Sequence, residues 1–192
     1  MALETRSTKT QAGFTLLEVM VSVIILAVGL ISVLALFGYS VSTMQTSQED
    51  LIARTKAKEA LESVFSARNS AQITFNQLQN KANGGIFVDG FAPIYDPPGA
   101  DGIVNTDDDS NSANSQLDAV ILPGPDGILG TADDVRMPLT SFQRQIAFSP
   151  VFDPGSKTPN PNLRLVTVTV QYTVPQFGAR KYTVNAYISR FR

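Results

Sequence analysis

The chain of 192 residues contains no cysteine and no histidine. These absences exclude cysteine nucleophiles, thiolate zinc sites, imidazole general bases and imidazole metal ligands. They leave the compartment open, because an exported protein can lack disulfides. Proline is absent from Met1 through Ala92, so no ring interrupts a helix there. Charge is absent between Val19 and Gln48, while Lys, Arg and Glu are absent between Ala82 and Val135. Formal net charge is −2 and no basic patch is interleaved with aromatics, so nucleic acid is not an expected partner. No glycine-rich phosphate loop precedes a helix. Glu59 and Glu62 stand among Lys56 and Lys58 and read as a solvated helix face. An enzyme is not expected.

What is present begins with an apolar run of about 25 residues from Phe14 to Tyr39, longer than the ~20 that span a bilayer core. Arg6 and Lys9 precede it, which places the N-terminus in the cytoplasm and the remainder beyond the inner membrane. The run carries one carboxylate, Glu18, which a plain anchor would not need. Helical spacing then continues through Met44, Leu51, Ile52, Leu61, Val64 and Phe65. One helix is predicted from about Thr15 to Arg68, its second half amphipathic. The alternative is two helices hinged near Gly38 to Ser42.

Asn83-Gly84-Gly85 marks a break, and Ile86 to Pro138 reads as long loops with short strands. Strands follow at Gln143–Phe148, Leu163–Val174 and Arg180–Ile188. In the second, Val166, Val168, Val170, Tyr172 and Val174 share one face, with Arg164 as the exception at its end. The link Pro175 to Ala179 predicts an antiparallel hairpin. The fold class is α+β: a long N-terminal helix packed through its second half on a small antiparallel sheet.

Gly13-Phe14-Thr15-Leu16-Leu17-Glu18, between a short basic leader and an apolar run, resembles the processing site of type IV pilins and the related type II secretion pseudopilins. The resemblance implies a pilin-like organisation: a leader over 1–13, a transmembrane and filament-core helix over 14–39, an amphipathic helix over 40–80 and a β domain over 81–192 with an acidic insertion at 96–135. It implies cleavage by prepilin peptidase between Gly13 and Phe14, methylation of the new Phe14 amine, and assembly with other pilin subunits. Loss of residues 1–13 leaves 179 and changes net charge from −2 to −3. Glu18 would then neutralise the Phe14 amine of its own or a neighbouring subunit, since a paired buried charge is far cheaper than an unpaired one. The location implied is the inner membrane before assembly, then a surface pilus or periplasmic pseudopilus. Major pilins usually carry a proline in the apolar helix and many a C-terminal cysteine pair. Both are missing, so the chain looks most like a minor pilin, with a minor pseudopilin of a type II secretion system as the alternative. Against a signal peptide cleaved after Val33-Leu34-Ala35, the apolar run continues to Tyr39 and carries an atypical charge, and a simple anchor would explain neither Gly13-Phe14 nor Glu18.

The second motif is a repeat. "ADGIVNTDDD" (100–109) and "PDGILGTADD" (125–134) align without gaps at an offset of 25 residues. Ten aspartates and no cation lie between Ala82 and Val135. Clustered carboxylates in glycine-containing loops are hard oxygen donors suited to Ca²⁺. The expected ligands are Asp101, Asp107, Asp108 and Asp109, then Asp126, Asp133 and Asp134. The competing reading is a solvated acidic loop in which Asp and Gly serve as turn residues.

Overall fold

The computed structural model describes residues 13–111, 113–174 and 177–191. Glu4, Arg6 and Lys9 of the expected leader, and Pro175 of the strand link, lie outside the described residues. The chain divides into two compact units, Met1–Gln45 and Thr46–Arg192. Helix α1, Leu16–Asn69, contributes to both.

In the first unit the apolar side chains of α1 are exposed throughout, from Leu16 to Tyr39. Its most apolar 18-residue window has a mean hydropathy of 3.0, long and apolar enough to cross a membrane. The few hydroxyls bond back to the helix. Ser22 Oγ donates to the Glu18 carbonyl at 2.7 Å, and Ser32 Oγ to the Val28 carbonyl at 2.8 Å. Such bonds satisfy a polar group where water is absent. No break occurs at Gly38 to Ser42, so the hinged alternative is not what the chain adopts.

In the second unit the buried face of α1 is Ala53, Ala57, Ala60, Val64 and Ala67, at alternating spacings of four and three. Of the expected stripe Val64 lies on this buried line, while two of its larger residues are corrected here. Met44 and Leu51 are both 64 % exposed, and Ile52, Leu61 and Phe65 flank the buried line. Alanine carries little apolar signal, yet its small side chain lets a helix lie close on a sheet. The helix ends at Asn69, one residue past the predicted Arg68, so the helical part of the 40–80 segment stops there. Residues 70–80 form a turn and a 3₁₀ segment at Phe75–Gln77 instead.

The main sheet is antiparallel in the order β1-β4-β5-β6, with β1 Ala92–Pro93, β4 Phe142–Phe152, β5 Pro159–Val174 and β6 Gly178–Ser189. A separate hairpin pairs β2, Ala119–Leu122, with β3, Val135–Pro138. Strands β5 and β6 form the expected hairpin, with Val168 opposite Val184. Val166, Val168, Val170, Tyr172 and Val174 are buried and share one cluster with the alanine line of α1. Phe142 stacks on its cross-strand partner Tyr172 at 5.2 Å.

Strand β4 runs beyond the expected Phe148 through Pro150, where the register shifts. Strand β1 pairs only with Gln143 and Arg144, so the outer side of β4 past them has no strand partner and proline is tolerated. The buried Asn80 side chain serves part of that side. Its Nδ2 donates to the Ile146 carbonyl at 2.7 Å, and its Oδ1 accepts the Phe148 N–H at 3.0 Å. Arg164, the exception on the β5 face, donates from Nη1 to the Phe75 and Leu78 carbonyls at 2.9 and 2.6 Å. It closes backbone acceptors of the 3₁₀ segment, which is why a cation fits at the end of a valine row.

Candidate functional site

Gly13 and Phe14 precede α1 in irregular backbone, and Phe14 is 82 % exposed. The peptide bond between them therefore stands outside the helix, where a protease can reach it. Thr15 is the N-cap. Its carbonyl accepts the Val19 N–H at 3.2 Å, and its Oγ1 accepts the Glu18 N–H at 3.3 Å. Thr15-Leu16-Leu17-Glu18 thus has the spacing of a capping box. Glu18 occupies the first turn, where a carboxylate meets the positive end of the helix dipole. Sequence reasoning missed this local role. The signal was there, since threonine followed three residues later by glutamate is a helix start in its own right.

The aspartate repeat folds as two copies of one loop. Asp101 Oδ1 accepts the Ile103 N–H at 2.7 Å, and Asp126 Oδ1 accepts the Ile128 N–H at 2.8 Å. Asp108 Oδ2 accepts from Asp101 N at 2.9 Å, as Asp133 Oδ2 does from Asp126 N at 3.2 Å. Thr106 and Thr131 each donate from Oγ1 at 2.6 Å to Asp108 and Asp133. Asp109 Oδ2 accepts the Asn105 N–H and Asp134 Oδ2 the Gly130 N–H, both at 2.6 Å. The threonine bonds hold the Asp108 and Asp133 carboxyls below the usual range.

The repeat also extends upstream to Pro98-Gly99 and Pro123-Gly124, which the alignment left out. A Cβ on Gly99 would fall 2.3 Å from Asp108 Cγ, and one on Gly124 would fall 2.2 Å from the Asp133 carbonyl oxygen. Only glycine fits where the second aspartate closes on the turn.

The copies differ in what surrounds them. In the first, Ile103, Asn105, Thr106 and Asp109 are buried. Arg144 of β4 is 2 % exposed, and its Nε donates to Asn105 Oδ1 at 2.7 Å. Asn105 Nδ2 returns a bond to the Arg144 carbonyl at 3.2 Å. Burial lowers the Arg144 pKa to about 10, against the opposing charges of Asp109, Asp118 and Glu59. Burial also raises Asp109, even though the Gly99 and Asn105 amides and the charge of Arg144 favour its ionised form. Lys56 of α1 reaches Asp118 at 2.7 Å and Glu59 at 2.9 Å, so the face read as solvated ties the helix to the insertion. In the second copy Ile128 and Leu129 are 61 % and 62 % exposed.

Of the expected calcium ligands, the fold joins Asp101 with Asp108, and Asp126 with Asp133, through backbone amides. Asp107 is drawn away to Lys81. Among the described residues no three acidic side chains converge as a metal site. As arranged, the carboxylate oxygens hold amide and hydroxyl hydrogens.

Against known families, residues 8–34 match the model of the prokaryotic N-terminal methylation motif. Searches of curated proteins and of solved structures returned no match. The family match covers the Gly13-Phe14 bond, the capped helix start and most of the apolar run, and none of the second unit. Such a leader implies processing by prepilin peptidase and assembly with other pilins, and the apolar helix fits membrane anchoring before assembly. The chain carries an N-terminal methylation motif at the head of a membrane-length helix, the signature typical of type IV pilins and pseudopilins.

Proposed function

We propose that the chain is a minor subunit of a type IV pilus, cleaved between Gly13 and Phe14 and assembled through the first half of α1. The observation that carries this reading is the helix itself. Its apolar residues from Leu16 to Tyr39 are covered by nothing among the described residues, directly after a reachable Gly13-Phe14 bond. Lipid covers them before assembly and the helices of other subunits cover them afterwards. The absence of proline before Pro93 and of cysteine favours a minor over a major subunit. Incorporation into a periplasmic pseudopilus instead of a surface pilus is the outcome that would favour the minor pseudopilin.

Glu18 is assigned the pairing role in assembly, opposite the methylated Phe14 amine. Its place in the first turn supports a second, local role in starting the helix, and the two can be separated. Glu18→Ala is expected to insert into membranes as the parent chain does and to fall out of sheared filaments. Wild-type incorporation of Glu18→Ala would overturn the assignment. Loss of membrane insertion would reduce Glu18 to a helix-start residue.

Calcium at the aspartate loops is a further proposal and rests on the sequence repeat alone. It requires the carboxylates to exchange amide hydrogens for the ion. Saturating Ca²⁺ at about 100 times its dissociation constant would then stabilise the second unit by about 2.7 kcal/mol for each loop that binds. Asp108→Asn together with Asp133→Asn should remove that gain. Identical unfolding midpoints in Ca²⁺ and in chelator would rule calcium out.

A further inference from the structure

The two edges of the main sheet are finished in opposite ways. On the β4 side, β1 pairs with Gln143 and Arg144, the Asn80 side chain bonds the Ile146 carbonyl and the Phe148 N–H, and the register shifts past Pro150. Each of these keeps a further strand from adding there. On the other side β6 is the last strand, 12 residues from Gly178 to Ser189. It contains no proline and pairs with β5 without a bulge. The Arg190 N–H donates to the Asn162 carbonyl at 2.8 Å. Antiparallel alternation then turns the backbone groups of even-numbered β6 residues to β5, and those of Lys181, Thr183, Asn185 and Tyr187 outward. Among the described residues no strand or loop bonds to these outward groups.

The charge around this edge is of one sign. From Pro154 to Arg192 the chain carries six cations and no acid. Arg180 lies 4.0 Å from Asp50, and Lys181 rests over the Phe91 ring at 5.1 Å. Among the described residues, Lys181 and Arg190 have no carboxylate within ion-pair distance. A second β6 does not suit the edge. Full antiparallel overlap would set Arg180 across from Arg190, and parallel overlap would set Lys181 beside Lys181. On the core side, Tyr182 and Val184 are partly buried against the main cluster. Apolar side chains at alternate positions of an added strand would continue that face.

We propose that the β6 edge accepts an extended acidic segment of another protein as a fifth strand of the four-stranded sheet. Main-chain hydrogen bonds supply the affinity, and acids set against Arg180, Lys181 and Arg190 select the partner. The inference goes beyond the filament reading and does not rest on it.

Two synthetic peptides test it on the full-length chain in detergent. Both alternate Val and Thr, one with Glu at each end and the other with Lys. Amide exchange at Thr183, Asn185 and Tyr187 should be fast in the chain alone and slow with the Glu peptide, while Val184 and Ala186 stay protected throughout. The Lys peptide should bind about tenfold more weakly, since two attractive pairs become repulsive. Asn185→Pro deletes one outward donor and no bond to β5, and should weaken the Glu peptide about tenfold. Lys181→Glu, a substitution of an exposed side chain, should narrow the difference between the peptides, which keeps the test open if the proline variant does not fold. Outward amides slowed equally by both peptides, or by neither, overturn the inference. Slow exchange without peptide would mean that a second copy or another part of the chain already covers the edge, which also overturns it. Processing and filament incorporation are read separately at the N-terminus, so failure here leaves that reading standing.

Discussion

The two halves of α1 are one continuous helix and present opposite kinds of surface. From Leu16 to Tyr39 it is lined with large apolar side chains, all exposed within the chain. From Ala53 to Ala67 it presents small side chains, and these are the buried ones. Hydrophobicity and burial are thus inverted along a single element. The second half is fitted to a sheet that the same chain supplies. The first half has no such cover among the described residues, and its apolar length fits membrane anchoring.

The sharpest way to break this contrast is to place the same charge in both halves. Ala57→Glu buries an unpaired carboxylate where the parent residue is 0 % exposed, and the second unit should lose about 3 to 5 kcal/mol in denaturant unfolding. Val23→Glu should leave that transition unchanged. Its cost, about 2.5 to 3.5 kcal/mol near a helix centre, falls on membrane insertion and should appear as chain lost from the membrane fraction. An unfolding midpoint shifted by Val23→Glu would mean the first half is part of the folded domain.

Size gives the next test. Ala60→Leu should overpack the helix against the sheet and cost about 1 to 3 kcal/mol in the same unfolding measurement. Leu26→Ala should leave unfolding of the second unit where it was. Thr15→Ala removes the cap and should weaken the first turn by about 1 kcal/mol, seen as faster amide exchange at Glu18 and Val19. Amides of the second unit should exchange as before.

The mildest test is pH. The Tyr172 hydroxyl donates to Asp50 on the second half of α1. Burial, with that bond and the charge of Asp50, pushes its pKa up to about 12 from 10.0. The folded state therefore holds a proton that the unfolded state has released, and stability falls as pH rises from 10 to 12. Tyr172→Phe should flatten the second unit's stability over that range, with membrane retention of the first half unaffected. An equal slope in the variant would show that Tyr172 does not set it.

Much of this fold was legible beforehand because its signals are periodic. Alternation placed the Val166–Val174 face of β5, and an unbroken helical pattern without proline placed α1. What escaped had weak or non-local signals. The alanine line was hidden because alanine barely registers as apolar, so the expected stripe caught Val64 and its half-buried neighbours but also took in the exposed Met44 and Leu51. Arg144 and Asn105 are 39 residues apart, and their mutual bonds need the insertion to return to β4. Lys56 read as solvent-facing because its partner Asp118 lies 62 residues onward. The N-terminal motif was legible as a motif, since its residues are consecutive, while the helix-start role of Thr15 and Glu18 inside it went unread. The aspartate repeat was legible as a repeat, while the use of its carboxylates as acceptors for their own loop was not.

The central claim is that the first half of α1 belongs to an assembly and is released for it by cleavage at Gly13. Mass spectrometry of the mature N-terminus, on protein from sheared surface filaments and from membranes, tests this most directly. The account requires a 179-residue chain beginning at N-methylated Phe14 in the sheared fraction. A mature chain beginning at Leu36, just after Ala35, would contradict it, because the helix half assigned to assembly would then have been discarded as a signal peptide.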